Sequence, residues 1–265
     1  MAFSVDPQAR SSEEFRRIIW EQAYSALQAL RKDDILSGIH TARKATRRAR
    51  AALRLGRPGL KDAQYRALKI GFREVARTLS PIRDADVIYR LASANGHVAP
   101  APSVDDAREK AAACRQRLQR LLALIELEPL PVGRKSLIKG FMRGHRAARR
   151  RMVIARAEPS DANLHAWRKS VKVHRHQLQL LAPIWPALLG ALATEAEALQ
   201  ADLGRQRDLA LLAEAIAPLS KAHRAEARAC TAAAFSRGAM LFAAQDRLMA
   251  AWLRALWDQR LLEQA

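Results

Sequence analysis

The chain has little of what fixes a fold other than by helix packing. Two of its 265 residues are cysteine, Cys114 and Cys230, in Ala/Arg-rich contexts with no CxxC pair and no zinc-ligand spacing. A disulfide framework and a cysteine zinc site are thereby excluded, and both thiols read as buried or idle. Aromatic residues make up 5%. Sustained polar–apolar alternation and β-branched runs are missing, which argues against strands. No apolar run approaches the ~20 residues that span a bilayer. The start, MAFSVDPQARSSEEF, has no apolar stretch behind a basic residue, so the reading is a cytoplasmic protein without a secretory signal. Catalytic signatures are missing too: no Gly-rich loop ending in GK[ST], no HExxH and no GxSxG. Residues 39–60 contain no Asp or Glu at all.

What the chain has in excess is cation: 46 Lys+Arg against 26 Asp+Glu, a formal net charge of +20. Self-repulsion of that size calls for a polyanionic partner, whether nucleic acid, an anionic membrane surface or an inorganic polyanion. The 49% apolar content is too high for disorder. Ala, Leu, Arg, Gln and Glu dominate, as in helices. Breakers at Gly56–Gly59, Ser80-Pro81, Gly96–Ser103, Glu128–Gly133, Glu158–Asp161, Pro183–Pro186 and Pro218 leave about ten helical segments. Ser80 reads as an N-cap with Pro81 at the first helical position, and Ser160 or Asp161 as the cap of the helix carrying His165.

One basic signature occurs twice. His40, Arg43, Lys44, Arg47 and Arg50 align with His165, Arg168, Lys169, Lys172 and Arg175, 125 residues apart at the histidines. Leu79-Ser80 and Arg83-Asp84 align with Leu203-Gly204 and Arg207-Asp208 at an offset of 124. A near-constant offset indicates an internal duplication, with halves of roughly 1–130 and 131–265. The fold class is therefore all-α: two helical bundles of about four to five helices each, related by approximate two-fold symmetry. At 100° per residue each signature, with His176 in the second, occupies a stripe about 120° wide. Arg66, Lys69, Arg73 and Arg77 form a further stripe, as do Lys135, Lys139, Arg143, Arg146 and Arg150. Four cationic helix faces can line one groove holding an anion between the halves. The second-half segment aligned with Arg66–Arg77 carries Glu195 and Glu197 and no cation, so the groove is expected to be asymmetric.

A Lys/Arg stripe is usually only a solvated helix face. Here acidic i,i+4 partners are scarce, the pattern stays in register in both halves, and Arg is the commoner cation, whose planar fork suits phosphate. His40 and His165 read equally as structural hydrogen-bonding residues or phosphate donors; metal binding is disfavoured by the surrounding cations. The Arg-Asp pairs read as helix-start charges ion-paired with a signature-helix cation, although Asp84 and Asp208 can in principle coordinate Mg²⁺ in an enzyme acting on phosphate chains. Non-specific nucleic-acid binding is the rival reading, without a helix-turn-helix, zinc-finger or RNP-like motif to support it. The tryptophans sit at core spacing and read as packing. The segment from Lys221 to Leu262 completes the second bundle or mediates dimerisation, the first being preferred.

The duplicated His-x-x-Arg-Lys, with Leu-Ser-Pro-Ile-Arg-Asp-Ala-Asp-Val (79–87) and Leu-Gly-Arg-Gln-Arg-Asp-Leu (203–209), resembles the CHAD domain, the conserved histidine α-helical domain, over nearly the whole chain. The resemblance implies two four-helix bundles with pseudo-two-fold symmetry and a central basic groove. It implies inorganic polyphosphate as ligand, with association at polyphosphate granules; nucleic acid, bound at the nucleoid, stays the rival and weaker polyanion. The chain is similar to a stand-alone member, without the tunnel domain to which some members are fused. Its phosphate-binding residues would be His40, Arg43, Lys44, Arg47, Arg50, Lys69, Arg73, Arg77, Lys139, Arg143, Arg146, His165, Arg168, Lys169, Lys172 and Arg175. No catalytic residue, metal or cofactor is expected.

Overall fold

A computed structural model describes residues 3–94, 96–215, 220–243 and 246–262. Among these are ten α-helices and no strand, so the fold is all-α. The order is α1 (Ser11–Ala29), α2 (Ile35–Gly56), α3 (Asp62–Thr78), α4 (Ser80–Ala94), α5 (Val104–Leu127), α6 (Arg134–Ala157), α7 (Asp161–Leu181), α8 (Pro186–Ala215), α9 (Lys221–Leu241) and α10 (Asp246–Leu262). Short 3-10 turns, Arg57–Gly59 and Ala182–Ile184, follow α2 and α7, each with proline second. The break read at Pro218 lies outside the described residues. The chain divides into two compact units, Arg10–Gly133 and the remainder from Arg134. Residues 3–9, which a division at 1–130 assigns to the first half, belong to the second unit.

In the first unit α1 packs on α2 and α5, and α2 also packs on α3, α4 and α5. The buried face of α2 is mostly alanine: Ala42, Ala45, Ala49 and Ala52 are all nearly inaccessible. Small side chains let α1 come close and deliver Phe15, Ile18 and Ile19 to the core, each worth about 1.5–3 kcal/mol of burial. Asp34 caps α2 by accepting from the Ser37 amide at 3.1 Å. The opposite face of α2 is left for the cations. After α4 the chain turns at Gly96, whose φ of +72° suits glycine, with the His97 amide donating to the Ala92 carbonyl. Ser103 then caps α5.

Ser80 is not a cap. The Arg83 amide donates to the Leu79 carbonyl, so Leu79 alone separates α3 from α4 and Ser80 already lies in the first turn. Its hydroxyl accepts instead from the Arg43 guanidinium, at 2.6 Å.

In the second unit α7 packs between α6 and α8, and α9 packs on α8 and α6. Ser160 caps α7 through the Asn163 amide, while Asp161 accepts from Gln206 of α8 at 2.7 Å. Trp167 is fully buried and stacks on Phe235 at 5.2 Å. Met249, Leu253 and Trp257 form the buried line of α10, which packs on α6, so Lys221–Leu262 does complete this unit. Residues 3–9 strap it: the Val5 amide donates to the Leu180 carbonyl, the Trp257 indole donates to the Pro7 carbonyl, and Phe3 meets His176 edge-on.

Candidate anion-binding faces

Each unit presents its signature on one helix. On α2, His40 and Lys44 are exposed and Arg43, Arg47 and Arg50 half-buried. On α3, Arg66, Lys69, Arg73 and Arg77 are all exposed. The two rows meet in a cleft of about 350 Å³ lined by Arg43, Arg47, Arg50, Arg73, Arg77 and Ser80. No carboxylate lines it. Arg43 is the innermost: besides Ser80 it donates to the Ala76 carbonyl at 3.3 Å, tying α2 to the α3–α4 junction. Burial lowers the proton affinity of Arg43, and Asp84 partly offsets this; burial and then Arg54, Arg73 and Arg43 lower that of Arg50. Both stay charged, because arginine does not deprotonate in proteins. A dry guanidinium crowded by others gains most when an anion arrives.

His40, Lys44 and Lys69 lie outside the cleft lining. Lys69 sits 5.6 Å over the Tyr65 ring, a cation–π contact that Arg57 makes as well. Partial desolvation, followed by repulsion from Arg83, Arg47, Lys44 and Arg90, holds the His40 imidazole below its ordinary pKa. Glu74 is the acid nearest this wall, 2.6 Å from Arg77 and 3.8 Å from Arg73.

On α7 the same register gives a different result along the helix. His165, Arg168, Lys169 and Lys172 occupy its more open N-terminal half. Burial, with repulsion from Lys169, Arg207, Arg168 and Lys172, pushes His165 down to about 4. Arg168 is held as Arg43 is, its proton affinity lowered by burial and partly restored by Asp208. Its guanidinium lies over Gly204, where a Cβ would make ordinary contact with it at 3.4 Å. Arg175 and His176 depart from the stripe read in the sequence. Arg175 is 8% exposed and its guanidinium is held by Glu197; His176 is 1% exposed behind Phe3. Lys139, Arg143 and Arg146 are exposed on α6. The buried residue between the last two, His145, faces inward and meets His174 at 3.2 Å between the imidazole nitrogens.

The Arg-Asp pairs are not caps. Asp84 is the fifth residue of α4 and acts electrostatically on Arg43 of α2, while Arg83 pairs with Asp86 on its own helix. Asp86, missed in the sequence although it completes the run Arg-Asp-Ala-Asp, is buried and also holds Arg90 at 2.8 Å. Arg207 likewise pairs along its own helix, with Glu214. Cys114 is buried, which pushes its thiol up to about 11, and Cys230 is half-buried. Among the described residues no cluster of three or more His, Cys, Asp or Glu is arranged to hold a metal, and no helix is long and apolar enough to cross a membrane.

Comparison with known proteins gives a consistent family. No curated protein matches the chain. A solved structure does: the CHAD domain from the plant Ricinus communis, 22% identical, with a TM-score of 0.59 and coverage of 97% of this chain and 95% of that one. The CHAD domain family model matches residues 18–217, which include both signatures and both Arg-Asp pairs. The chain belongs to the CHAD domain family.

Proposed function

We propose that this protein binds linear inorganic polyphosphate on the cationic faces of α2–α3 and α7, as a binder without a catalytic step of its own, and that it works in the cytoplasm at polyphosphate granules. The observation that carries this reading is the α2–α3 cleft, where five guanidinium groups converge with no carboxylate in the lining. Self-repulsion in such a cluster has a stabilising counterpart only when anion fills it, and the arginine fork matches phosphate oxygens. Polyphosphate repeats one negative charge per phosphate along a flexible chain, so it can follow successive cations without a base-reading element. Membership of the CHAD family supports the same ligand.

The duplication read in the sequence belongs to this proposal. Each signature helix is followed by a 3-10 turn with proline second, and Arg43 over Ser80 is repeated by Arg168 over Gly204. The test is binding of long-chain polyphosphate as a function of salt. About five phosphate contacts give a slope of log K against log salt near −3.5, from the rule of about −0.7 per contact. The charge reversal Arg47→Glu should lower both affinity and slope. A shallow slope that Arg47→Glu leaves unchanged contradicts the proposal.

A further inference from the structure

The helix that walls each signature differs sharply between the units. Opposite α2, residues 62–94 of α3 and α4 hold six Lys/Arg and four Asp/Glu. Opposite α7, residues 186–215 of α8 hold two Lys/Arg and five Asp/Glu. Those acids are engaged with cations of their own unit. Glu197 holds Arg175 of the signature itself, Glu195 and Asp202 both hold Arg237 at 3.0 Å, and Glu214 holds Arg207. In the first unit Glu74 stands against Arg73, Arg77 and Arg117, Asp62 holds Arg57, and Asp86 holds Arg83 and Arg90, but none of these acids lines the cleft.

Resting on the polyphosphate reading, we infer that the α2–α3 cleft of the first unit is by itself a site for a short run of phosphates, about three units long, and that the α7 face is the weaker, length-dependent contact. Volume sets the run length. The cleft of about 350 Å³ has room for roughly twelve water-sized positions at about 30 Å³ each. One phosphoryl unit brings a phosphorus and three oxygens, so about three units fill it. Charge sets the ranking. A phosphate entering the α2–α3 cleft displaces water from guanidinium groups that face no lining carboxylate. A phosphate at α7 meets Arg168, Lys169 and Lys172, while Arg175, further along the helix, is buried and already bound by Glu197. Those three cations are fewer than the five guanidinium groups of the α2–α3 cleft, and they add contacts for a longer chain. Affinity should therefore saturate early with ligand length on the first unit and grow slowly beyond it.

The experiment titrates linear tripolyphosphate and long-chain polyphosphate into the full chain and into two double variants that remove equal charge. Arg73→Gln with Arg77→Gln alters exposed residues of α3; Lys169→Gln with Lys172→Gln alters α7. Circular dichroism verifies that each is folded. The α3 pair is expected to weaken tripolyphosphate binding about tenfold or more, as loss of charge-assisted phosphate contacts does. The α7 pair is expected to change it less than about threefold, as screened charge beyond a direct contact does. Equal losses in the two variants, a greater loss in the α7 pair, or a wild-type chain that binds long polyphosphate but not tripolyphosphate overturns this inference and leaves polyphosphate binding standing. A wild-type chain that binds neither overturns the proposed function itself.

Discussion

His174 is a titratable residue buried away from water. It is buried with Phe141, His145 and Phe242, and burial together with His145 pushes its pKa down to about 3. The facing nitrogens of His145 and His174 share one proton, and a second would set two N–H groups against each other. The sign of the pH effect follows. The unfolded chain takes up a proton near pH 6.5 and the folded one does not, so stability is full above that pH and falls as the solution is acidified. One such group costs about 1.4 kcal/mol per pH unit in that window. The urea midpoint should drop between pH 6.5 and 5, above the range of ordinary carboxylates, and a midpoint constant over that interval contradicts this account. Nothing in the sequence marked the pair, because the partners lie 29 residues apart on two helices. The stripe residues were legible by contrast, since cation spacing on α2 needs only the period of one helix. The same arithmetic placed Arg175 and His176 on that stripe, where periodicity gives an angle but not a depth. Phe3, from the far end of the chain, and Glu197, from α8, cover them.

At the scale of elements, several helix boundaries followed the breakers, because proline and glycine act locally, but the α1–α2 turn at 30–34 and the end of α9 after Leu241 carry neither and were not read. The α3–α4 junction is the instructive departure. Ser-Pro looks like a helix start with a serine cap, but Arg43 reaches in from α2 and takes the hydroxyl, a contact that sequence spacing cannot show. Close helix packing in the second unit gives a sharper test. Gly238 of α9 lies under Trp167, and a Cβ there would sit 2.8 Å from the indole and 2.7 Å from the Met152 sulfur. Gly190 of α8 has nothing within 4 Å of such an atom. Both glycines are helical, so alanine gains up to about 1 kcal/mol of helix propensity at either position. At Gly238 overpacking of about 1–3 kcal/mol outweighs that gain. Urea unfolding should show Gly238→Ala destabilised and Gly190→Ala neutral to stabilised. Similar effects of the two substitutions would mean that the α9 contact is not tight.

For the whole molecule, an all-α chain was readable from composition and breakers. The affiliation of residues 3–9 with the second unit was not, because its contacts, among them a main-chain hydrogen bond, an indole donor and a ring contact, run across the length of the sequence. The net charge of +20 leaves the class of anion open, since polyphosphate and nucleic acid both reward counterion release. What separates them is concentration of charge. A nucleoid binder spreads its contacts over a surface, whereas five arginines facing one cleft favour a flexible chain able to enter it. The most direct measurement is a competition titration at near-physiological salt, in which labelled long-chain polyphosphate is displaced by unlabelled polyphosphate, duplex DNA or RNA. The account predicts that polyphosphate displaces the label at concentrations orders of magnitude below those of DNA or RNA, and that Arg47→Glu removes this preference. Equal displacement by DNA, with Arg47→Glu indistinguishable from wild type, would contradict it.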